Sequence, residues 1–164
     1  METDPSASTD QPSSAPPLWR QRLGKVRHDL RNPLGEILGF TEFVIEDARE
    51  RNLGGLLVEL ESIRQSANRM LAEVDHALSP NVSSTNADEL SRLKQTLQQE
   101  AEKIAAAARA LAARCDELQH VSLRDDLLRV GGSAKHLCDF APSALEGLIE
   151  LGSQVGPGKL DTLT

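Results

Sequence analysis

The sequence is poor in aromatic residues, in cysteine and in long apolar runs. Aromatic residues make up 2% of the chain and tyrosine is absent, whereas a β-rich core would need more aromatic and β-branched side chains. Two cysteines, Cys115 and Cys138, are too few for a disulfide scaffold, and intracellular thiols usually stay reduced. No apolar run approaches the roughly 20 residues of a membrane span. We therefore expect a cytoplasmic protein with no membrane segment.

The charge balance and the missing motifs exclude further classes of protein. A net charge of −7 argues against a nucleic-acid binder, which would normally carry a basic face. The chain has no Gly-rich phosphate loop and no Ser-centred hydrolase motif. His76, His120 and His136 share no metal-ligand spacing with one another or with a cysteine pair. We expect no metal site and no cofactor in this chain.

The abundant Ala, Leu, Glu and Arg residues favour helices with an aliphatic core. Residues 1–17 are rich in Ser, Pro, Thr and Asp and are expected to be disordered. Residues 18–79 then carry two apolar stripes in steps of three and four, which predict two bundle helices joined by a turn at Asn52–Gly55. The first stripe is Leu23, Val26, Leu30, Pro33, Ile37, Phe40 and Val44, and the second is Leu53, Leu56, Leu60, Ile63, Ala67, Met70, Val74 and Ala77.

A second predicted hairpin spans residues 86–151, after a linker at 80–85. Asn86 and Glu89 have the spacing of a capping box. The third helix carries Leu90, Leu97, Ile104, Leu111 and Leu118, and the fourth carries Leu123, Leu127, Val130, Ala134, Leu137 and Ala141. We expect Gly131 and Gly132 to weaken the fourth helix, Pro142 to kink or interrupt it, and residues 152–164 to form a loose tail or linker.

The two hairpins resemble a repeat. An ungapped shift of 67 residues aligns their core positions, for example Leu23 with Leu90 and Leu56 with Leu123. Heptad leucines match by chance at many shifts, so coincidence is the competing explanation. The same shift places Gln95, Thr96, Gln99 and Glu100 opposite His28, Asp29, Asn32 and Pro33. The second hairpin is therefore predicted to be a degenerate copy that keeps the core and lacks the polar residues.

Those polar residues lie in one short stretch of the first helix: Arg27-His28-Asp29-Leu30-Arg31-Asn32-Pro33-Leu34. With Leu23 and Leu30 in the core, His28 falls on the outer face. The stretch resembles the phosphoacceptor box of sensor histidine kinases, in their dimerisation and histidine-phosphotransfer domain. The resemblance continues through Gly35–Glu42 and across the second helix.

The resemblance implies a role for each polar residue. His28 would accept the phosphoryl group, since a neutral imidazole is nucleophilic near physiological pH. Asp29 would act as the general base that holds the productive tautomer. Asn32, one turn further on the same face, would position water in a phosphatase reaction. Pro33 would allow a bend beyond the histidine, and a tolerated kink without function is the alternative.

Lys25, Arg27 and Arg31 belong to a basic cluster that would bind a partner, although an ordinary solvated face is the simpler explanation for any one of them. Nothing after Leu78 resembles an ATP-binding domain. We therefore expect a two-component signalling module whose partners are a receiver domain and a separate kinase or ATP-binding domain. A phosphatase-like helper of a receiver and a non-enzymatic docking or dimerisation scaffold are the alternatives.

The expected architecture is an all-α four-helix bundle, because a hairpin of two helices cannot bury its own stripes. Two arrangements remain open. The two hairpins could form the bundle within one chain as an intramolecular pseudo-dimer. Alternatively, the first hairpin could form a homodimer, with the second hairpin extending the stalk.

Overall fold

The computed structural model describes residues 18–80 and 86–155. They form four α-helices: α1 (Leu18–Glu50), α2 (Gly54–Ala77), α3 (Ala87–Glu117) and α4 (Val121–Val155). Four helices in two hairpins confirm the predicted fold class. The predictions for residues 1–17, for 81–85 of the linker and for 156–164 of the tail lie outside the described residues.

Asn86 fixes the start of α3. Its side-chain Oδ1 accepts a hydrogen bond of 2.9 Å from the backbone N–H of Asp88, which satisfies one of the free donors of the first turn. The carboxylate of Glu89 lies 3.9 Å from Nε2 of His76 on α2. The Asn86 cap was predicted correctly. Glu89, predicted as the second residue of the capping box, has its carboxylate near α2.

The turns that end α1 and α3 have the same geometry. Asn52 and Gln119 both adopt left-handed backbone angles, with φ of 57° and 62°. In the first turn the N–H groups of Asn52 and Leu53 bond to the carbonyls of Arg49 and Ala48; in the second, those of Gln119 and His120 bond to Asp116 and Cys115. Both patterns are Schellman motifs. Their matching residues lie 67 positions apart, which is the shift that aligns the two hairpins in sequence.

The helices form a ring in which α1 packs against α2 and α4, and α3 packs against the same two helices. The hairpins therefore lie side by side with their turns at one end, where Nη1 of Arg51 is 3.5 Å from Nδ1 of His120. This arrangement matches the predicted intramolecular bundle and not the stalk. The core runs through all four helices, and its largest fully buried side chains are Leu30, Leu34, Ile37, Leu60, Met70, Leu78, Leu90, Leu97, Leu111, Leu123, Leu127 and Leu137.

Some local predictions were wrong. Leu118, predicted as a core residue, is the C-cap of α3 and is 53% exposed. Pro142 does not interrupt α4, whereas a kink at Pro142 and a weakening of the helix by Gly131 and Gly132 stay predictions. Helix α4 ends at Val155, beyond the predicted start of the tail at residue 152. Packing against α1 and α3 stabilises this helix along its length, and tertiary contacts commonly override weak local propensity.

None of the helices in residues 18–80 and 86–155 combines the length and the apolar character that crossing a bilayer requires.

Candidate functional site

His28 lies on the solvent side of α1. Its side chain is 74% exposed, while Leu30, two residues further along the helix, is fully buried. The difference follows from the helical period, because residues two apart point to different sides of a helix. The imidazole is thus open to a second molecule, as the position in the heptad predicted.

Asp29 contacts the imidazole directly. Nδ1 of His28 lies 3.4 Å from Oδ1 of Asp29, and Nζ of Lys25 lies 3.4 Å from Oδ2. The hydrogen bond with His28, and secondarily the Lys25 ammonium, hold the pKa of the Asp29 carboxyl below its ordinary value of 3.8. The carboxylate is therefore ionised at neutral pH, and it favours the tautomer with a proton on Nδ1 and a lone pair on Nε2.

Asn32 and Pro33 differ in exposure. Asn32 is exposed and follows His28 by four residues in α1, so that its amide shares the solvent-facing side of the helix. Pro33 is buried, and α1 continues through it as a single helix. The structure brings Asn32 and Asp29 to the His28 face and places the proline ring towards the core.

The three basic residues predicted to bind a partner differ in exposure and in the side chains that they contact. Lys25 is exposed and pairs with Asp29. Arg27 is half-buried. Arg31 forms an ion pair with Asp75 of α2, so its guanidinium also joins the two helices of the first hairpin. Of the three, Lys25 is therefore the residue whose charge contacts Asp29, the neighbour of His28.

Sequence reasoning missed the contacts between α1 and α4 that continue from this face. Oγ of Ser133 donates a 2.7 Å hydrogen bond to Oε2 of Glu36, and the guanidinium of Arg129 lies 5.5 Å from the ring centroid of Phe40. These contacts fix α4 beside α1. The repeat offered one signal, since Ser133 aligns with Ser66 at the 67-residue shift.

Within the two described ranges, no group of three or more His, Cys, Asp or Glu side chains is placed to hold a metal ion. The ring of His136 stacks on the ring of Phe140, one turn further along α4, with centroids 5.9 Å apart. Cys115 and Cys138 are both free thiols, and burial raises the pKa of each, which makes them less reactive.

Residues 18–79 match the family model of the His Kinase A (phospho-acceptor) domain. The match covers the first hairpin and confirms the resemblance that the residues around His28 indicated. The first hairpin is thus similar to the phospho-acceptor domain of two-component signalling. The matched range ends at Ser79, so the tandem origin of the second hairpin stays a prediction. No curated protein and no solved structure matches the chain significantly.

Proposed function

We propose that His28 accepts a phosphoryl group and passes it to the aspartate of a receiver domain, with a separate kinase or ATP-binding domain as a donor. One observation carries this proposal: an exposed imidazole whose Nδ1 faces an ionised carboxylate, on the hairpin that matches the phospho-acceptor family. In this proposal Nε2 is the nucleophile, because the carboxylate favours a proton on Nδ1. Asp29 is then a positioning and proton-holding residue.

The transfer conserves atoms and charge in two steps. The Nε2 lone pair of His28 forms an N–P bond as the P–O bond of the donor breaks, and the donor oxygen keeps the electron pair. The imidazole becomes cationic, and the carboxylate of Asp29, 3.4 Å from Nδ1, stabilises that charge. In the second step a receiver carboxylate attacks phosphorus, and the N–P electron pair returns to Nε2.

Asn32 supports a second reaction on the same surface, the hydrolysis of a phosphorylated receiver aspartate. Its amide is exposed one turn from His28, where it can orient a water molecule towards a phosphorylated receiver aspartate. That water would form a new P–O bond as the acyl phosphate bond breaks, releasing inorganic phosphate and the free carboxylate. Phosphatase activity would therefore need Asn32, while phosphoryl acceptance would need His28.

The test is phosphoryl labelling of the full chain with a phosphorylated receiver domain as donor. We expect acid-labile, base-stable label on the wild-type protein and none on His28→Ala. His136→Ala is the matched control, since it removes another exposed histidine and should leave the label unchanged. Because the side chains of His28 and His136 are both exposed, both variants should keep the helical circular dichroism spectrum of the wild type.

The docking-scaffold alternative gives a different result in the same experiment. A scaffold would bind the receiver with equal affinity before and after His28→Ala, and neither protein would carry label. Label that survives His28→Ala would instead assign the phosphoryl group to another residue. Measuring receiver binding beside the label therefore separates phosphoryl transfer from docking.

A further inference from the structure

We propose that the second hairpin takes the place of a second subunit, so that the protein is a monomer with one phosphoacceptor face per bundle. The backbone carries the first observation. Asn52 and Gln119, 67 residues apart, close their hairpins with the same left-handed turn and the same two hydrogen bonds. The contacts of α1 with α4 and of α3 with α2 then pair the first helix of each hairpin with the second helix of the other, which is the pairing that a two-fold axis would give. This inference does not depend on the chemistry of His28.

The apolar stripes are the second observation. The apolar stripes of the first hairpin are covered within the bundle, since Leu30, Ile37 and Leu60 are each 0% exposed. The second hairpin covers them from the same chain. A tethered partner acts at high effective concentration, so that intramolecular pairing outcompetes pairing between chains.

The charges between α2 and α3 are the third observation, and they select the second hairpin over another copy of the first. Nη1 of Arg114 lies 2.9 Å from Oε1 of Glu59, and Nη2 lies 3.4 Å from the carbonyl oxygen of Gly55. The residue of the first hairpin that corresponds to Arg114 is Asp47. Self-pairing of the first hairpin would thus set Glu59 against a carboxylate instead of a guanidinium.

Two other contacts between the hairpins would also be unfavourable or lost if the second hairpin were replaced by another copy of the first. His76 lies 3.9 Å from Glu89, whereas the corresponding residue of the first hairpin is the cationic Arg22. Arg129, which lies over the Phe40 ring, corresponds to the neutral Ser62. Between two first hairpins, His76 would face a cation instead of a carboxylate, and the cation–π contact with Phe40 would be lost. Such polar contacts at the edge of a helical seam specify which helices pair.

Light scattering of the full chain tests the assembly. We expect a mass of 17.8 kDa that stays constant over a wide range of protein concentration. A mass of two chains, or one that rises towards it with concentration, would overturn the proposal. Loss of phosphoryl labelling on its own would leave this measurement unaffected, so the two proposals fail separately.

Charge variants of the full chain test whether the charges between α2 and α3 select the second hairpin as the partner of the first. Arg114→Asp, which copies the first hairpin, should lower the melting temperature by about 2 °C, and Glu59→Arg with Arg114→Glu should recover most of that loss. Arg109→Asp is the control, an exposed arginine on the same helix, and should cause a smaller change. If Arg114→Asp and Arg109→Asp behave alike, or the exchanged pair recovers nothing, the charges do not select the partner hairpin.

Discussion

At the scale of the residue, the site depends on the contrast between two neighbours on α1. His28 is exposed, and Asp29 holds its Nδ1 from 3.4 Å. An acid beside an imidazole raises the nucleophilicity of the far nitrogen and stabilises the cation formed on attack. The His28 side chain is 74% exposed and the Asp29 side chain is 31% exposed, so both contribute only modestly to the fold. Substitutions here should therefore change the chemistry far more than the stability.

Asp29→Asn should slow phosphoryl transfer to His28 roughly 100-fold, the lower end of what general acid–base catalysis supplies. The amide can occupy the same space but cannot stabilise the imidazolium. Rapid-quench measurement of the labelling rate checks this expectation. Asp139→Asn, an exposed acid on α4 that pairs with Lys135, should leave the rate unchanged, and an equal loss in both variants would contradict the role of Asp29.

The lowered pKa of Asp29 also predicts a pH dependence. Its contacts with His28 and Lys25 stabilise the fold above the pKa of the carboxyl in the unfolded chain. That contribution is lost as the pH falls through the lower pKa of the folded state. The difference in melting temperature between wild type and Asp29→Asn should therefore shrink as the pH falls below 3.8, the ordinary pKa of the carboxyl. Thermal unfolding in that acid range checks this, and a difference that stays constant there would contradict it.

At the scale of the element, the two turns decide where α1 and α3 end. Asn52 and Gln119 both adopt positive φ, a conformation that costs most L-residues roughly 1–2 kcal/mol. Asparagine tolerates it better than glutamine, because its short side chain bonds locally to the backbone. The second turn is therefore the more strained of two turns that have the same backbone geometry.

Gln119→Gly should stabilise the protein by about 0.5–1 kcal/mol, because glycine adopts a positive φ without strain. The greater conformational freedom of glycine in the unfolded chain offsets part of that gain. Asn52→Gly should have a smaller effect. Gln95→Gly, in the interior of α3, should act in the opposite direction by about 1 kcal/mol. Urea denaturation of the three variants gives the comparison, and a loss of stability in Gln119→Gly would show that the turn is not strained.

At the scale of the whole molecule, one core joins both hairpins. Buried side chains from all four helices form a single cluster that includes Trp19 of α1 and Leu97 of α3. Trp19 is the only tryptophan in the sequence and is 5% exposed. Its fluorescence therefore reports on the first hairpin, while circular dichroism reports on all four helices. A shared core should make the two signals change together.

Leu97→Ala should lower the free energy of unfolding by about 2–5 kcal/mol, the cost of a buried cavity. Although the change lies in the second hairpin, the midpoint from Trp19 fluorescence should shift together with that from circular dichroism. Leu128→Ala, at a half-exposed position of α4, should shift both only slightly. A Trp19 transition that stays in place would show that the hairpins unfold independently.

Much of the site could be predicted because it is local. The order His28, Asp29 and Asn32 lies within two turns of one helix, where the 3.6-residue period fixes which side chains share a face. The pairing of Arg31 with Asp75 and of Glu36 with Ser133 could not be predicted. Those partners lie 44 and 97 residues apart, and no local period relates them.

The sequence alone determined four helices, the exposed imidazole and the spacing between the two hairpins, since each depends on side-chain periodicity within one helix or one turn. Tertiary structure decided which surfaces meet. An aliphatic stripe can be covered by any similar stripe, on the same chain or on another, because apolar burial has no direction. Only the folded chain shows that α4 and α3 cover α1 and α2, and that the charges of Glu59 and Arg114 meet there.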